Sequence, residues 1–189
     1  MRLAPKTPYY HGAMSESFRQ LLRALPDFPD NLPDFDPSAA PADPAELFRQ
    51  WFDEALAAGV QQPNACSLAT ADEHGRPSAR MLILKNIDDD GWHFATSRNS
   101  RKGRELTANP HAALNFYWQQ QGRQVRVAGP VTELSAEASA ADWHARPGAD
   151  GSDNPNWQLY AVRSREIEFW QARHDRRHIR HQYGPDQLH

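Results

Sequence analysis

The chain has 189 residues, enough for one compact domain with a buried core. Its formal net charge of −3 argues against a general nucleic-acid binder, which usually presents a basic face. Its single cysteine, Cys66, excludes an internal disulfide framework, and no apolar run reaches the roughly 18 residues of a membrane span. We therefore expect a cytoplasmic protein that binds neither nucleic acid nor membranes, with Cys66 in the core.

Residues 1–42 are predicted to form a proline-rich N-terminal arm. Prolines recur from Pro5 to Pro41 and interrupt any long helix or strand. One segment of this arm, residues 15–25 (SESFRQLLRAL), is predicted to form a short amphipathic helix. Met14 is a second candidate for the natural start. Residues 43–189 are predicted to form the folded domain.

A capped helix begins the predicted domain. Asp43 is suited to the N-cap, Pro44 to the first helical position, Glu46 to the third, and Gly59 to the stop. The apolar face of this helix is predicted to comprise Leu47, Phe48, Trp51, Phe52, Ala55 and Leu56.

After Gly59 the apolar period changes from about 3.6 residues to 2, which indicates strands. The predicted strands cover residues 65–71, 78–87, 91–97, 112–119, 123–134 and 157–170. Two helices are predicted between them, one from near Ser100 to Asn109 and one over residues 135–145. The expected fold class is therefore mainly β with flanking α, an antiparallel barrel of about six strands with short helices at its edges.

Two segments place cations where an anion could bind. In RMLILK, Arg80 and Lys85 lie five residues apart, so they share a ligand only if the strand bulges or ends between them. Snorkelling of both charges at the strand ends is an equally simple interpretation. In TSRNSRKGREL, Arg101 and Lys102 fall in the first turn of a helix, where the macrodipole disfavours cations unless an anion binds. An exposed basic turn is the alternative for this second segment.

A third cationic segment, FWQARHDRRHIRHQY, covers residues 169–183. On a helix, His174, His178 and His181 would share one face and resemble a metal site, although the interleaved arginines would repel a divalent cation. On a strand, Arg176, His178 and Arg180 would alternate onto one face and suit a phosphate or carboxylate. A single-stranded nucleic-acid site is a third possibility. The small phosphorylated ligand is the preferred interpretation, and no metal is expected.

Taken together, these segments resemble the FMN-dependent pyridoxamine 5′-phosphate oxidase family over residues 41–181. The resemblance is carried by DPAELFRQWFDEA, ATADEHGRPSARMLILKNID, FATSRNSRKGRELTANPHAALNFYW, GRQVRVAGPVTELS, HARP and IEFWQARHDRRHIR. It implies an FMN-binding split β-barrel and a homodimer with FMN at the interface. Within this resemblance, the positions that match FMN contacts are Arg80, Lys85, Thr96, Arg101, Lys102, Gln124, Trp170 and Arg180, the last two supplied by the partner subunit.

The resemblance also implies a substrate site and a reaction. Lys85, Arg146, Arg176 and His178 match positions that hold the substrate and its phosphate, with Arg176 and His178 closest to catalysis. The implied reaction oxidises pyridoxamine or pyridoxine 5′-phosphate to pyridoxal 5′-phosphate. A hydride passes from substrate C4′ to flavin N5, and O2 reoxidises the flavin with release of H2O2.

Four departures from the family pattern fall near the implied substrate site. Asp142 and Asp150 stand where the family usually has Tyr and Ser, and acidic residues are poor phosphate ligands. A long helical segment is reduced to GADGSDNPN, and the final GPDQLH lacks the usual C-terminal strand ending in R-L-x-P. Two alternatives therefore stand beside the phosphate oxidase. One is a flavin oxidase of another substrate, such as a phenazine precursor, and the other is a non-catalytic FMN- or pyridoxal-phosphate-binding protein.

Overall fold

The computed structural model describes residues 11–184 and residue 188, and for residues 11–16 it describes the backbone alone. Its helices are α1 (His11–Arg23), α2 (Pro44–Ala57), α3 (Arg101–Ala108) and α4 (Ala136–His144). Its strands are β1 (Ala65–Ala71), β2 (Pro77–Ile83), β3 (Asn86–Asp88), β4 (Gly91–Ser97), β5 (His111–Trp118), β6 (Arg123–Glu133), β7 (Trp157–Val162), β8 (Glu166–Gln171) and β9 (Ile179–Tyr183). The fold is thus mainly β with flanking helices, as predicted.

The described strands form one curled antiparallel sheet in the order β2-β1-β5-β6-β7-β4-β3, with β8 and β9 joined to the first half of β6. Strand β6 makes the split, because residues 123–128 pair with β8 whereas residues 131–133 pair with β7. Gly129 lies at this change of partner, where an added Cβ would come within 1.9 Å of the Arg163 carbonyl oxygen. The missing side chain therefore lets the two halves of the half-barrel meet closely.

The predicted number of strands was too small. The segment 78–87 divides into β2 and β3 at Leu84 and Lys85, and the segment 157–170 divides into β7 and β8 at residues 163–165. At these breaks the backbone turns to new partners, with Lys85 N donating to His93 O and Arg163 N donating to Pro130 O. Strand β9 is the remaining addition.

Helix α2 packs its apolar face into the core of the curled sheet. The Asp43 carboxylate accepts a hydrogen bond from Ala45 N at 2.8 Å, which confirms the predicted N-cap. Phe48 and Trp51 lie edge-on against Phe116 and Phe169, with ring centroids 4.9 and 5.2 Å apart. Burying one such side chain stabilises the fold by about 1.5–3 kcal/mol. Leu56 was wrongly predicted on the buried face; it is 53% exposed, beyond the edge of the stripe that faces the barrel.

The predicted arm contains one helix and an extended segment that packs on the barrel. Helix α1 begins at His11 and ends at Arg23, so the predicted start at residue 15 was four residues late. Further along, the Phe35 ring lies 5.0 Å from Trp51, and Tyr183 Oη donates to Pro41 O at 2.7 Å. The division into an arm over 1–42 and a domain over 43–189 stays a prediction. Residues 1–10, 185–187 and 189 lie outside the described residues. They include most of the final GPDQLH, the segment in which the family's C-terminal strand was predicted to be missing.

Cys66 is fully buried, and burial raises the pKa of its thiol to about 12, in agreement with the predicted core role. Over the described part of the chain, no helix combines the length and apolar character needed to cross a membrane.

Candidate active site

The N-terminus of α3 lies against the end of β4. Ser100 caps the helix, its Oγ accepting from Gly103 N at 3.2 Å, as predicted for a helix starting near this residue. An added Cβ on Gly103 would lie 2.4 Å from the Arg98 carbonyl oxygen, so a glycine is required for this approach. The buried Thr96 places its Oγ1 3.2 Å from Ser100 Oγ. The helix N-terminus, where the first N–H groups have no partner within the helix, therefore lies beside Thr96.

A buried carboxylate organises the cations around this helix end. Glu105 is 5% exposed, and its oxygens accept from Ser78 Oγ at 2.7 Å, Arg101 Nε at 2.8 Å and Arg80 Nη2 at 3.2 Å. Thr70 Oγ1 donates to the same carboxylate. Sequence reasoning did not select Glu105, although its position four residues after Arg101 places both on one helix face. We call Arg80, Arg101, Lys102 and Glu105 the α3 cluster.

The α3 cluster keeps an excess of positive charge. Burial opposes ionisation of Glu105, but hydrogen bonds from Thr70, Ser78, Arg101 and Arg80 outweigh it and lower the pKa of this carboxyl to about 2. The pKa of Lys102 is lowered by burial and by the neighbouring charge of Arg80. Two arginines therefore bind one carboxylate, and Lys102 adds a third positive charge near Arg80 at the positive end of the helix, which is an arrangement suited to a phosphate.

Lys85 belongs to a second group, in which its charge is already paired. Strand β2 ends at Ile83, before Lys85, so the strand does end between Arg80 and Lys85 as a shared ligand would require. The two side chains nevertheless bind different carboxylates, Glu105 and Asp142. Lys85 Nζ lies 3.1 Å from Asp142 Oδ1, with the side chains 23% and 14% exposed. Asp142 Oδ2 accepts from Trp157 Nε1 at 2.8 Å. Both carboxylate oxygens of Asp142 are thus engaged.

Arg146 completes this second group by stacking on tryptophans. Its guanidinium carbon lies 3.2 Å from the centroid of the Trp143 ring and 5.0 Å from that of Trp157. We call Lys85, Asp142, Arg146 and Trp157 the Lys85 cluster. Asp150, the other departure, instead accepts from Ser152 Oγ at 2.6 Å within its own loop.

Three predicted cofactor residues align across the outer sheet. Gln124 on β6 is opposite Trp170 on β8, and Trp170 is opposite Arg180 on β9. Tyr117, which is 50% exposed, continues this row on β5 opposite Gln124. These side chains share one face of the sheet because directly opposed residues in antiparallel strands point the same way.

His178 and Arg176 lie beside this row, but their local structure differs from both predictions. The segment forms neither the helix that would align three histidines nor a strand through Arg176, since β9 begins only at Ile179. The His178 ring centroid lies 4.7 Å from that of Trp170. Arg176 adopts φ +63° in a turn and directs its guanidinium to Asp27, Nη2 to Oδ2 at 2.5 Å. The extended alternation predicted for Arg176 was therefore wrong, because the chain turns before it enters the sheet.

Part of the N-terminal arm contacts Trp170, His178 and Arg176. The Phe28 ring lies 6.0 Å from both Trp170 and His178, and Asp27 pairs with Arg176. The sequence carried no signal for this contact, which joins residues far apart in the chain.

The structure brings the predicted residues together in groups. Trp157 of the Lys85 cluster pairs with Ser97 at the end of β4, and the N-terminal turn of α3 approaches the backbone of the same residue. Trp170, His178 and Arg176 form a separate group with the arm. The hydrogen bonds, ion pairs and ring contacts seen among residues 17–184 and 188 do not link this group to the other two clusters. Over that same range, no group of three or more His, Cys, Asp or Glu side chains is placed to hold a metal ion.

The structure is a split barrel with a cation-rich helix N-terminus at its edge, an arrangement suited to an anionic ligand. The same fold class is found by comparison with known proteins. Residues 52–171 match the family model described as pyridoxamine 5′-phosphate oxidase. Residues 157–188 match the pyridoxine 5′-phosphate oxidase C-terminal dimerisation region, which supports a homodimer. The chain belongs to the pyridoxamine 5′-phosphate oxidase family of oxidoreductases, as its sequence motifs predicted.

Two curated relatives carry the same name, pyridoxine/pyridoxamine 5′-phosphate oxidase. The protein from Bordetella petrii is 41% identical over 180 residues, covering 78% of this chain and 86% of the relative. The protein from Salinibacter ruber is 42% identical over 176 residues, covering 75% of this chain and 82% of the relative.

Solved structures share the fold. PhzG from Burkholderia lata 383, in complex with tetrahydrophenazine-1-carboxylic acid, superposes with a TM-score of 0.76 at 28% identity, covering 84% of this chain and 94% of that chain. A pyridoxamine 5′-phosphate oxidase-related, FMN binding protein from Nostoc punctiforme superposes with a TM-score of 0.54 at 17% identity, covering 73% and 97% of the two chains. The second likeness concerns the fold alone.

Proposed function

We propose that this protein is an FMN-dependent oxidase that converts pyridoxamine or pyridoxine 5′-phosphate to pyridoxal 5′-phosphate, with O2 as acceptor and H2O2 as product. The observation that carries the proposal is the α3 cluster, in which two arginines bind one buried carboxylate and Lys102 adds a third cation at the helix N-terminus. The names of relatives about 40% identical over most of the chain support the same substrates.

The α3 cluster is the proposed flavin phosphate site. Arg101 and Lys102 hold the phosphate, aided by the first N–H groups of α3. Arg80 contributes charge from β2, and Thr96 lies beside the helix end. Glu105 binds the arginine side chains and so positions them before the flavin arrives. Its ionised carboxylate fixes the geometry without cancelling the positive charge.

Gln124, Trp170 and Arg180, which align across strands β6, β8 and β9, supply the remaining flavin contacts in this proposal together with Lys85. Trp170 and Arg180 of one protomer reach the flavin of its partner, and Gln124 and Lys85 contact the flavin of their own protomer. The shared sheet face of Gln124, Trp170 and Arg180 supports an extended contact surface of this kind. The match to a dimerisation region supports the required homodimer.

Lys85, Arg146, Arg176 and His178 are the proposed substrate residues. FMN bound at this site would supply the acceptor for a hydride from substrate C4′ and the route for its electrons to O2. Arg176 and His178 orient the substrate ring, and the Trp170 ring packed against His178 restrains the imidazole. Asp27 pairs with Arg176, whose side chain is 68% exposed, and the Phe28 ring lies beside His178, so the substrate competes with Asp27 for Arg176.

A flavin oxidase of a non-phosphorylated substrate is a second candidate. The observation that favours it is the pairing of Lys85 with Asp142, which reduces the positive charge available to a substrate phosphate. A phenazine-precursor type of substrate agrees with the ligand in the structural relative PhzG.

The test is to purify the protein, load it with FMN, and measure peroxide release with pyridoxine 5′-phosphate, pyridoxamine 5′-phosphate and their unphosphorylated forms. A yellow protein that releases peroxide with the phosphorylated compounds agrees with the proposal. A yellow protein without turnover on any of them contradicts the proposed reaction and leaves a different substrate or a binding role. A colourless protein that ignores added FMN contradicts the cofactor as well.

A further inference from the structure

Asp142 occupies an unfavourable place for a carboxylate. It lies in the last turn of α4, where the helix macrodipole is negative and favours cations instead. The carboxylate is 14% exposed, so much of its hydration is also lost. Lys85 and the Trp157 indole N–H offset both costs, since each contacts one carboxylate oxygen. The acid is thus held in one orientation by two partners from outside its own helix.

Trp157 connects this acid to the second cation of the cluster. Its indole nitrogen binds Asp142, while its ring lies 5.0 Å from the Arg146 guanidinium carbon. Lys85 and Arg146 together carry two positive charges, and Asp142 removes one of them. A phosphate dianion that approaches Lys85 therefore meets about half the positive charge that the two cations would offer alone. It also meets the Asp142 carboxylate, which is already in contact with the Lys85 ammonium.

We infer that Asp142 is a specificity-determining residue that competes with the substrate phosphate for Lys85 and so weakens the preference for phosphorylated over unphosphorylated substrates. The inference rests on the proposed function, in which Lys85 and Arg146 face the substrate. A ligand bearing a neutral hydroxyl in place of the phosphate leaves the Lys85–Asp142 pair intact and loses nothing. A ligand bearing a phosphate has to displace Asp142 or bind beside it.

The experiment measures the affinity of FMN-loaded protein for pyridoxal 5′-phosphate and for pyridoxal, by isothermal titration calorimetry, in the wild type and in Asp142→Asn. The variant keeps an oxygen that can accept from Trp157 and removes only the charge. We expect pyridoxal 5′-phosphate to bind at least about tenfold more tightly to the variant, because a negative charge within a few ångströms of the phosphate is gone. Pyridoxal affinity should change by less than about twofold, since no charge interaction with it is altered.

Asp153→Asn is the matched control. It removes one negative charge from the neighbouring loop, where Asp153 is 89% exposed and pairs with His144 instead of Lys85. This control should leave both affinities unchanged. Melting temperatures of all three proteins establish that they are folded, and Asp142→Ala repeats the charge removal with a smaller side chain.

An unchanged or weaker affinity of Asp142→Asn for pyridoxal 5′-phosphate, including no detectable binding in either protein, overturns the inference. So does an equal gain in the Asp153→Asn control. Peroxide release, measured separately, reports on the proposed function. A protein that shows the expected affinity shift but oxidises no vitamin B6 compound contradicts the proposed reaction and leaves the role of Asp142 standing.

Discussion

The α3 cluster and the Lys85 cluster are both built from cations and one carboxylate, yet the acid acts differently in each. Glu105 is buried beneath the arginines and binds the Nε of Arg101 and a terminal nitrogen of Arg80, so the cluster stays positive and ordered. Asp142 instead forms a direct ion pair with the Lys85 ammonium and neutralises its charge. In the proposed function, one carboxylate therefore organises a phosphate site and the other opposes one. The difference lies in how many cations each carboxylate binds and in how much positive charge remains.

The largest effect is expected in the α3 cluster. Arg101→Ala should weaken FMN binding about 10- to 100-fold, because a charge-assisted hydrogen bond to the phosphate is worth about 1.5–3 kcal/mol. Fluorescence titration of the apoprotein with FMN measures this change. Arg104→Ala is the control on the same helix, since the Arg104 guanidinium donates to Asn99 O instead. Unchanged flavin affinity in Arg101→Ala would refute its assigned role.

Catalysis should depend on the C-terminal segment, separately from flavin binding. His178→Ala is expected to lower kcat about 10- to 100-fold, because the substrate loses a group that orients it. The FMN content should stay that of the wild type. His174→Ala is the control, since the His174 Nε2 lies 3.3 Å from Asp30 O and has no proposed role. Loss of FMN from His178→Ala would contradict the assignment of His178 to the substrate and would indicate a role in cofactor binding.

Glu105→Gln should separate the organising role of the buried acid from simple charge. We expect a loss of about 1–3 kcal/mol in the free energy of unfolding at pH 7, because buried donors lose a charged acceptor. Since the folded pKa lies near 2, below the reference value of 4.5, the stabilisation is present above pH 4.5 and is lost as pH falls towards 2. Urea unfolding across this range should show the two proteins converging at low pH. A constant difference at every pH would contradict the assigned ionisation.

The smallest effect is expected from Trp157→Phe, which tests how firmly Asp142 is held. Loss of the indole N–H loosens the carboxylate, so pyridoxal 5′-phosphate should bind about two- to threefold more tightly, the equivalent of one modest hydrogen bond. Trp143→Phe is the matched control, because its indole N–H donates to Ser152 O and leaves Asp142 untouched. Calorimetry on both variants distinguishes the two; equal effects would mean that Trp157 acts only through packing.

Local signals predicted most of the secondary structure. The two strands over 65–71 and 91–97 and the cap Asp43 agree with the structure residue by residue, and the helix predicted to start near Ser100 begins at Arg101. These signals succeed because periodicity and capping depend only on near neighbours. The strand breaks near Lys85 and Arg163 were missed, since they arise where the sheet curls and its strands change partners.

Long-range pairing could not be predicted. The family resemblance identified Lys85 as a ligand-binding position and Asp142 as a departure from the family pattern. No local pattern indicated that these two residues, 57 positions apart in the sequence, would form an ion pair. The contact between Asp27 and Arg176 spans 149 positions and was equally invisible. Glu105 is different, because its spacing from Arg101 was a readable signal. Which cations remain free for a ligand is a property of the folded chain.

Titration of the apoprotein with FMN and with riboflavin tests the central claim most directly. The two flavins differ only in the phosphate, so their affinity ratio isolates the α3 cluster. We predict that FMN binds at least about a hundredfold more tightly, as expected for two or more charge-assisted hydrogen bonds. Equal affinity for the two flavins, or no binding of either, would contradict the assignment of this cluster as a flavin phosphate site.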